Sequence, residues 1–208
     1  FHKTRWQVLA WEVIKGEKKI VTATDHTIML EDHKGAVSVI KFLPPDQPNE
    51  GLGFNLCPDG NQRYEFAATM QKLRDICAAS SSAFLSISEA RQVLFQRLLP
   101  KISYPLSLTS FDESQCGKMN TLVRNNFFPM MRFNRHSPGS VMHGPMEEGG
   151  MELPEFYSCQ NELQAPNIIG QLRNGGTVAN DVLTTIDMVQ LISGLITPVF
   201  EFKAPLKY

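Results

Sequence analysis

Residues 51–66 read GLGFNLCPDGNQRYEF. A short apolar run opens on Gly51-Leu52-Gly53, closes on Pro58-Asp59-Gly60 and leads into a new pattern. Pro-Asp-Gly turns a chain sharply, because Pro presets φ and Gly accepts positive φ. Beyond Gly60, Phe66, Met70, Leu73 and Cys77 recur at i, i+4, i+7 and i+11, the period of one helical face. Before it the period is that of strands. The stretch therefore separates a β-rich piece from a helical one, with a soft boundary near Gly60. The two glycines ahead of the turn have two readings. A strand glycine marks close approach of a ligand or another backbone, or it marks a bulge or tight bend.

Upstream, WQVLAWEV, KKIVTAT, HTIML and AVSVIKFL are rich in β-branched and aromatic residues, with turns at Lys15-Gly16-Glu17 and Asp32-His33-Lys34-Gly35. PPDQPNEG (44–51) reads as a loop, since its three prolines remove ladder donors, and GLGFNLC reads as one further strand. Downstream, Ser86-Ile-Ser-Glu89 and Ser110-Phe-Asp-Glu113 both have the form of a capping box. Ala90, Val93, Leu94 and Leu98 form an apolar face behind the first, ending at Pro100. Cys116, Met119, Val123 and Phe127 form one behind the second, ending at Pro129. Residues 134–154 read as an extended loop rich in Gly and Pro. The ranges 155–164 and 178–195 are weaker helix candidates split by GQLRNGG. The fold class is α+β, an antiparallel β-rich N-terminal piece followed by a mostly helical domain. Residues 1–60, 61–160 and 161–208 are the expected units, the last only weakly helical.

The 208 residues are 42% hydrophobic with a formal net charge of −1, enough for a core and neutral about partners. Cys57, Cys77, Cys116 and Cys159 stand far apart, which fits reduced thiols and an intracellular location, nuclear or cytoplasmic. No secretory signal is read at the start, and a chain that begins on Phe1 is expected to be a fragment. The most apolar stretch, 188–200, is broken by Gln190, Ser193, Gly194 and Pro198 and is too short to span a bilayer, so no membrane partner is expected.

Several chemistries are missing. No G-x-x-x-x-G-K-[ST], H-E-x-x-H or G-x-S-x-G motif occurs, and position 56 is Leu where a dinucleotide fingerprint starting at Gly51 needs its third glycine. His26 and His33, and His136 and His143, are each seven apart, but no tight local pair suggests zinc, and they read as solvated loop histidines. A small hydrolase or metal enzyme therefore has no supporting constellation.

One stretch does carry a charge signal. Residues 114–146 hold no acid, and Lys118, Arg124, Arg132 and Arg135 give a formal +4, with His136 and His143 beside them. Phe127, Phe128 and Phe133 interleave. Cations with neighbouring aromatics suit a nucleic-acid surface. The competing reading is a solvated basic face over core phenylalanines.

HKTRWQVLAWEV (2–13), LPPDQPNEGLGFNLCPDGNQRYEF (43–66), LLPKISYPLSLTSFDESQCGKMN (98–120) and RFNRHSPGSVMHGPMEEGGMELPEFY (132–157) resemble, in order and spacing, the reverse transcriptase of non-LTR retrotransposons. The resemblance covers roughly residues 1–160, the part after that family's catalytic aspartates. It implies a palm end carrying a primer-grip strand at Gly51, Leu52 and Gly53, then a helical thumb and connection that hold template-primer. It implies a nucleic-acid surface at Lys118, Arg124, Arg132, Arg135 and His136, and a proton-transfer role for Lys3. Two-metal nucleotidyl transfer needs carboxylates, and the family's Tyr/Phe-x-Asp-Asp motif is missing here. Mg²⁺ thus belongs only to a complete polymerase, joined to the upstream palm and fingers of the same polyprotein, and this chain alone is not expected to polymerise. Gly53-Phe54 also departs from the family's usual Gly-Val or Gly-Ile. The other class of function is a retroelement-derived interaction domain with no nucleic-acid or catalytic role, pairing a sheet edge with a protein partner.

Overall fold

In a computed structural model, which describes residues 5–21, 27–31, 35–51 and 53–201, the chain is mixed α and β, strands first and helices after. The strands form four two-stranded ladders rather than one sheet. β1 (Arg5–Trp6) pairs in parallel with β6 (Lys41–Phe42). β2 (Ala10–Ile14) and β3 (Glu17–Val21) form a hairpin through Lys15 and Gly16, both at positive φ. That double positive φ is the hairpin turn whose twist matches the strands. β4 (Met29–Glu31) pairs antiparallel with β5 (Val37–Val39), and β7 (Asn49–Gly51) with β8 (Phe54–Leu56). The run AVSVIKFL is not one strand. It changes partner at buried Ile40, whose N–H donates to Ile28 O at 2.9 Å, before β6 joins β1. The β1–β6 pairing also departs from the expected all-antiparallel piece, because the intervening hairpins bring the chain back in the same direction. It is held by Leu43 N–H to Trp6 O at 3.0 Å and by the Trp6 and Phe42 rings at 4.7 Å.

The Pro58-Asp59-Gly60 turn closes with Gly60 N–H to Cys57 O at 3.0 Å, and Asp59 Oδ1 accepts from Asn61 N. α1 (Arg63–Ser81) follows, with Met70, Leu73 and Cys77 buried. Its Glu65 is fully buried and fastens the helix to β8. Its Oε2 accepts from Asn55 N (2.6 Å) and Asn55 Nδ2 (3.0 Å), and its Oε1 accepts from Thr69 Oγ1 (3.2 Å). Lys72 Nζ stands 4.0 Å away. A buried carboxylate is tolerable because its lone pairs are met.

The Ser86–Glu89 capping box forms and starts α2 (Ile87–Val93). Pro100 does not stop the helix. A π-turn over Leu94–Leu98 intervenes, and α3 (Leu99–Leu108) continues with Pro100 in its first turn and Pro105 inside. Proline lacks the N–H that an α-turn would use. The wider turn closes instead on Leu99 N–H to Leu94 O. The second box forms two residues later than expected. Asp112, not Ser110, caps α4 (Glu113–Met130), with Gln115 as its partner. The reason is tertiary. Phe111 is buried, its N–H donates to Gln160 Oε1 (2.8 Å), and its carbonyl accepts from Gln160 Nε2 (3.0 Å). With its backbone committed to that amide, Phe111 cannot enter the helix.

Residues 134–154 are folded rather than extended. α5 (Gly139–His143) and a 3₁₀ turn (Met146–Glu148) are closed over by Met151 N–H to Val141 O and Leu153 N–H to Met142 O, both at 2.9 Å. Gly144 and Gly150 cross there with their backbones in contact, and a Cβ on Gly150 would collide with the Gly144 carbonyl. This loop buries Met142 and Leu153 against the bundle.

α6 (Phe156–Asn174) runs through position 160 and through GQLRN, so one helix crosses the boundary drawn there. α7 (Thr177–Ser193) follows after Gly175 and Gly176. One core joins α1 through α6, with Leu73, Leu94, Leu98, Met119 and Phe127 fully buried. Each contributes about 2–3 kcal/mol by leaving water. The polar face of α6 closes the bundle. Gln164 Nε2 donates to Leu106 O (3.0 Å) and Thr109 O (2.9 Å), carbonyls left open where α3 ends. Asn120 of α4 donates to Glu155 (2.7 Å) and accepts from Phe156 N (3.1 Å), while Glu155 caps α6 through Ser158 N (2.7 Å) and Tyr157 N (3.1 Å).

Gln160→Ala leaves a buried N–H and a buried carbonyl unpaired, so it is expected to cost about 2–4 kcal/mol in urea unfolding. Burial pushes the Glu155 carboxyl up, but bonds from Ser158, Tyr157 and Asn120 outweigh it and bring it below the ordinary value of 4.5. Its stabilisation is therefore full above that ordinary value and is lost as pH falls through the lowered one. Glu155→Gln is expected to abolish this component when stability is measured between about pH 5 and pH 2.

Candidate nucleic-acid interface

Gly51 and Gly53 do not lie along one strand. Gly51 ends β7, Phe54 begins β8, and the two pair as partners of an antiparallel ladder. Leu52 lies outside the described residues. Gly53 holds φ +85, a left-handed conformation that side chains resist. Of the two glycine readings, the tight bend is the one observed. Gly51 has ordinary φ and open space where a Cβ would stand. The hairpin packs back on the helices through Glu65 and through Phe54 against Tyr104, centroids 6.1 Å apart. Lys3 lies outside the described residues, as do His26 and His33.

The acid-free run does not make one face. Lys118 is exposed on α4, and Arg124 follows six residues later, about 120° around the helix. Arg124 Nε is shielded from solvent and has no partner. It lines a cavity of about 20 Å³ with Asn120, His143 and Leu153, room for a single water. Arg135 and His136 are exposed and meet each other, Nε to Nε2 at 3.1 Å. His143 Nδ1 is 2.8 Å from Leu153 O. Phe127 and Phe128 are core side chains, and only Phe133 reaches solvent. That much agrees with the bland reading of the run.

Arg132 is different. α4 ends with Phe133 N–H to Phe128 O (2.8 Å) and Arg132 N–H to Pro129 O (3.1 Å), and Arg132 itself takes φ +61. This is the position after a helix where glycine is favoured. An arginine there carries backbone strain of about 1 kcal/mol or more. Its side chain lines a concavity of about 640 Å³ with Arg91, Ser86 and Ser88, and no carboxylate lines it. The nearest acid in sequence, Glu89, turns back to cap Ser86, a contact that lowers its carboxyl below the ordinary value. A second groove, about 380 Å³, lies between α1 and α2–α3. Ile76, Ala79 and Val93 give it an apolar floor, and Arg97 and Lys101 line it.

Arg91, Arg97 and Lys101 were not singled out from the sequence. A signal was present, since residues 90–111 contain these three cations and no acid. Pro100 was expected to end the helix, which separated Lys101 from Arg91 and Arg97.

All four cysteines are free thiols. Burial raises Cys77 and Cys116 to about 11, so they are inert as nucleophiles near neutral pH. Among the described residues no three His, Cys, Asp or Glu side chains stand close enough to hold a metal, and no helix is long and apolar enough to cross a membrane. Compared with protein families, curated proteins and solved structures, the chain matches none.

Gly53→Ala is expected to destabilise by about 1–2 kcal/mol. Gly51→Ala is expected to stay within about 0.5 kcal/mol, with both read by thermal unfolding.

Proposed function

We propose that this chain is the template-primer-holding side of a non-LTR retroelement reverse transcriptase: palm end over 1–60, thumb and connection over 61–160. The four ordered sequence stretches support the family, and the strands-then-helices order is compatible with it. Arg132 carries the binding reading. It is an arginine in a left-handed conformation at a helix end, and with Arg91 it lines a concavity to which no carboxylate contributes, although Arg91 also lines a neighbouring concavity with Glu152. Two cations and the Ser88 hydroxyl on one concave surface suit backbone phosphates. Lys118, Arg135 and His136 are exposed but do not line this concavity.

A second reading, an interaction domain without nucleic acid, draws on α7. Only Ala179 is buried there, while Leu191 and Ile192 are 82% and 72% exposed. A helix that is apolar on most sides ordinarily packs against something.

A salt titration of duplex binding separates the two. Nucleic-acid binding predicts a log–log slope of a few units, lowered by about 0.9 for each phosphate contact removed. Arg91→Ala and Arg132→Gly are each expected to lower it by about one unit. Arg132→Gly should also melt no lower than the parent, because glycine relieves the positive φ. Absent or salt-independent binding overturns the proposal and favours the second reading.

A further inference from the structure

Phe84 is fully exposed and holds φ +45, one of three non-glycine residues at positive φ in the described helical region, with Arg132 and Glu152. It stands in the turn between α1 and α2. Its neighbour Leu85 lines both concavities described above, and Ala83 lines the Arg97–Lys101 groove. Phe84 lines neither, so it projects from the ridge between them. Arg91 and Arg132 lie on one side, and Arg97 and Lys101 on the other. None of the four pairs with a described carboxylate, and no acid lines either concavity. An aromatic ring pushed wholly into water at a conformation that disfavours phenylalanine is poorly explained by folding alone.

We infer that Phe84 is a stacking platform for an unpaired base, and that this ridge takes single-stranded nucleic acid, its phosphates held by the cation pairs on either side. The inference rests on the nucleic-acid reading above and deepens it, from duplex holding to capture of an unpaired segment. Charge complementarity selects a polyanion. The isolated, fully exposed ring selects one with free π-faces, because paired and stacked bases offer none.

The test uses the full chain and a single-stranded DNA oligonucleotide carrying 2-aminopurine, whose fluorescence is quenched on stacking. The parent protein is expected to quench it. Phe84→Gly and Phe84→Asn, both suited to positive φ, are expected to abolish quenching and weaken binding about tenfold, while the salt slope and melting temperature hold. Phe84→Trp is expected to retain quenching. If either variant folds, binds and quenches like the parent, the stacking role is overturned while phosphate binding stands. If a fully paired duplex shows the same Phe84-dependent quenching, the single-strand assignment is overturned. If the parent binds no oligonucleotide, this inference and the function above fall together.

Discussion

The helical bundle depends on one two-point contact, the Gln160 amide against the backbone of Phe111. Both partners are buried, so both bonds are sheltered from competition by water. The contact holds Phe111 extended, which decides where α4 begins and moves its cap from Ser110 to Asp112. It also sets α6 in register, so that Gln164, one turn on, reaches the open carbonyls at the end of α3. Asn120 and Glu155 complete the seam from the α4 side. The apolar core supplies most of the driving force, but these amides choose one arrangement of helices among many that would bury similar area.

Against that rigid frame, four described non-glycine residues take positive φ: Lys15 in a hairpin turn, Glu152 in the folded 134–154 loop, and Phe84 and Arg132. Arg132 and Phe84 both follow helix ends, α4 and α1, and both take positive φ without being glycine. Each faces or flanks a concavity with cations and no carboxylate. The hairpin at Gly53 is the opposite case, where positive φ falls on a glycine.

The apolar faces of α1 and α4, the Ser86 cap and the Pro-Asp-Gly turn were legible because each is a local pattern with a local cause. The hairpin at 49–56 was not. Its β7 strand, Asn-Glu-Gly, has no apolar residue and closes a run read as loop. Pro100 misled for a different reason. At Pro100 a π-turn widens the spacing so that the helix continues, and nothing in the local residues announces that turn. The candidate interface was half legible. The acid-free run held Arg132 but also Arg124, whose Nε is shielded from solvent, and of the cations of α2–α3 only Lys101 lay behind the misread proline.

By itself the sequence determined the order of strands and helices and the faces of the main helices. These depend on spacing along the chain, which is complete in the sequence. The tertiary structure alone decided which capping residue acts at α4, that the 134–154 loop folds onto the bundle, and which cations share a surface. Those outcomes turn on contacts between residues up to about fifty positions apart, such as Phe111 with Gln160. Their free energy depends on burial, and burial exists only once the helices have packed.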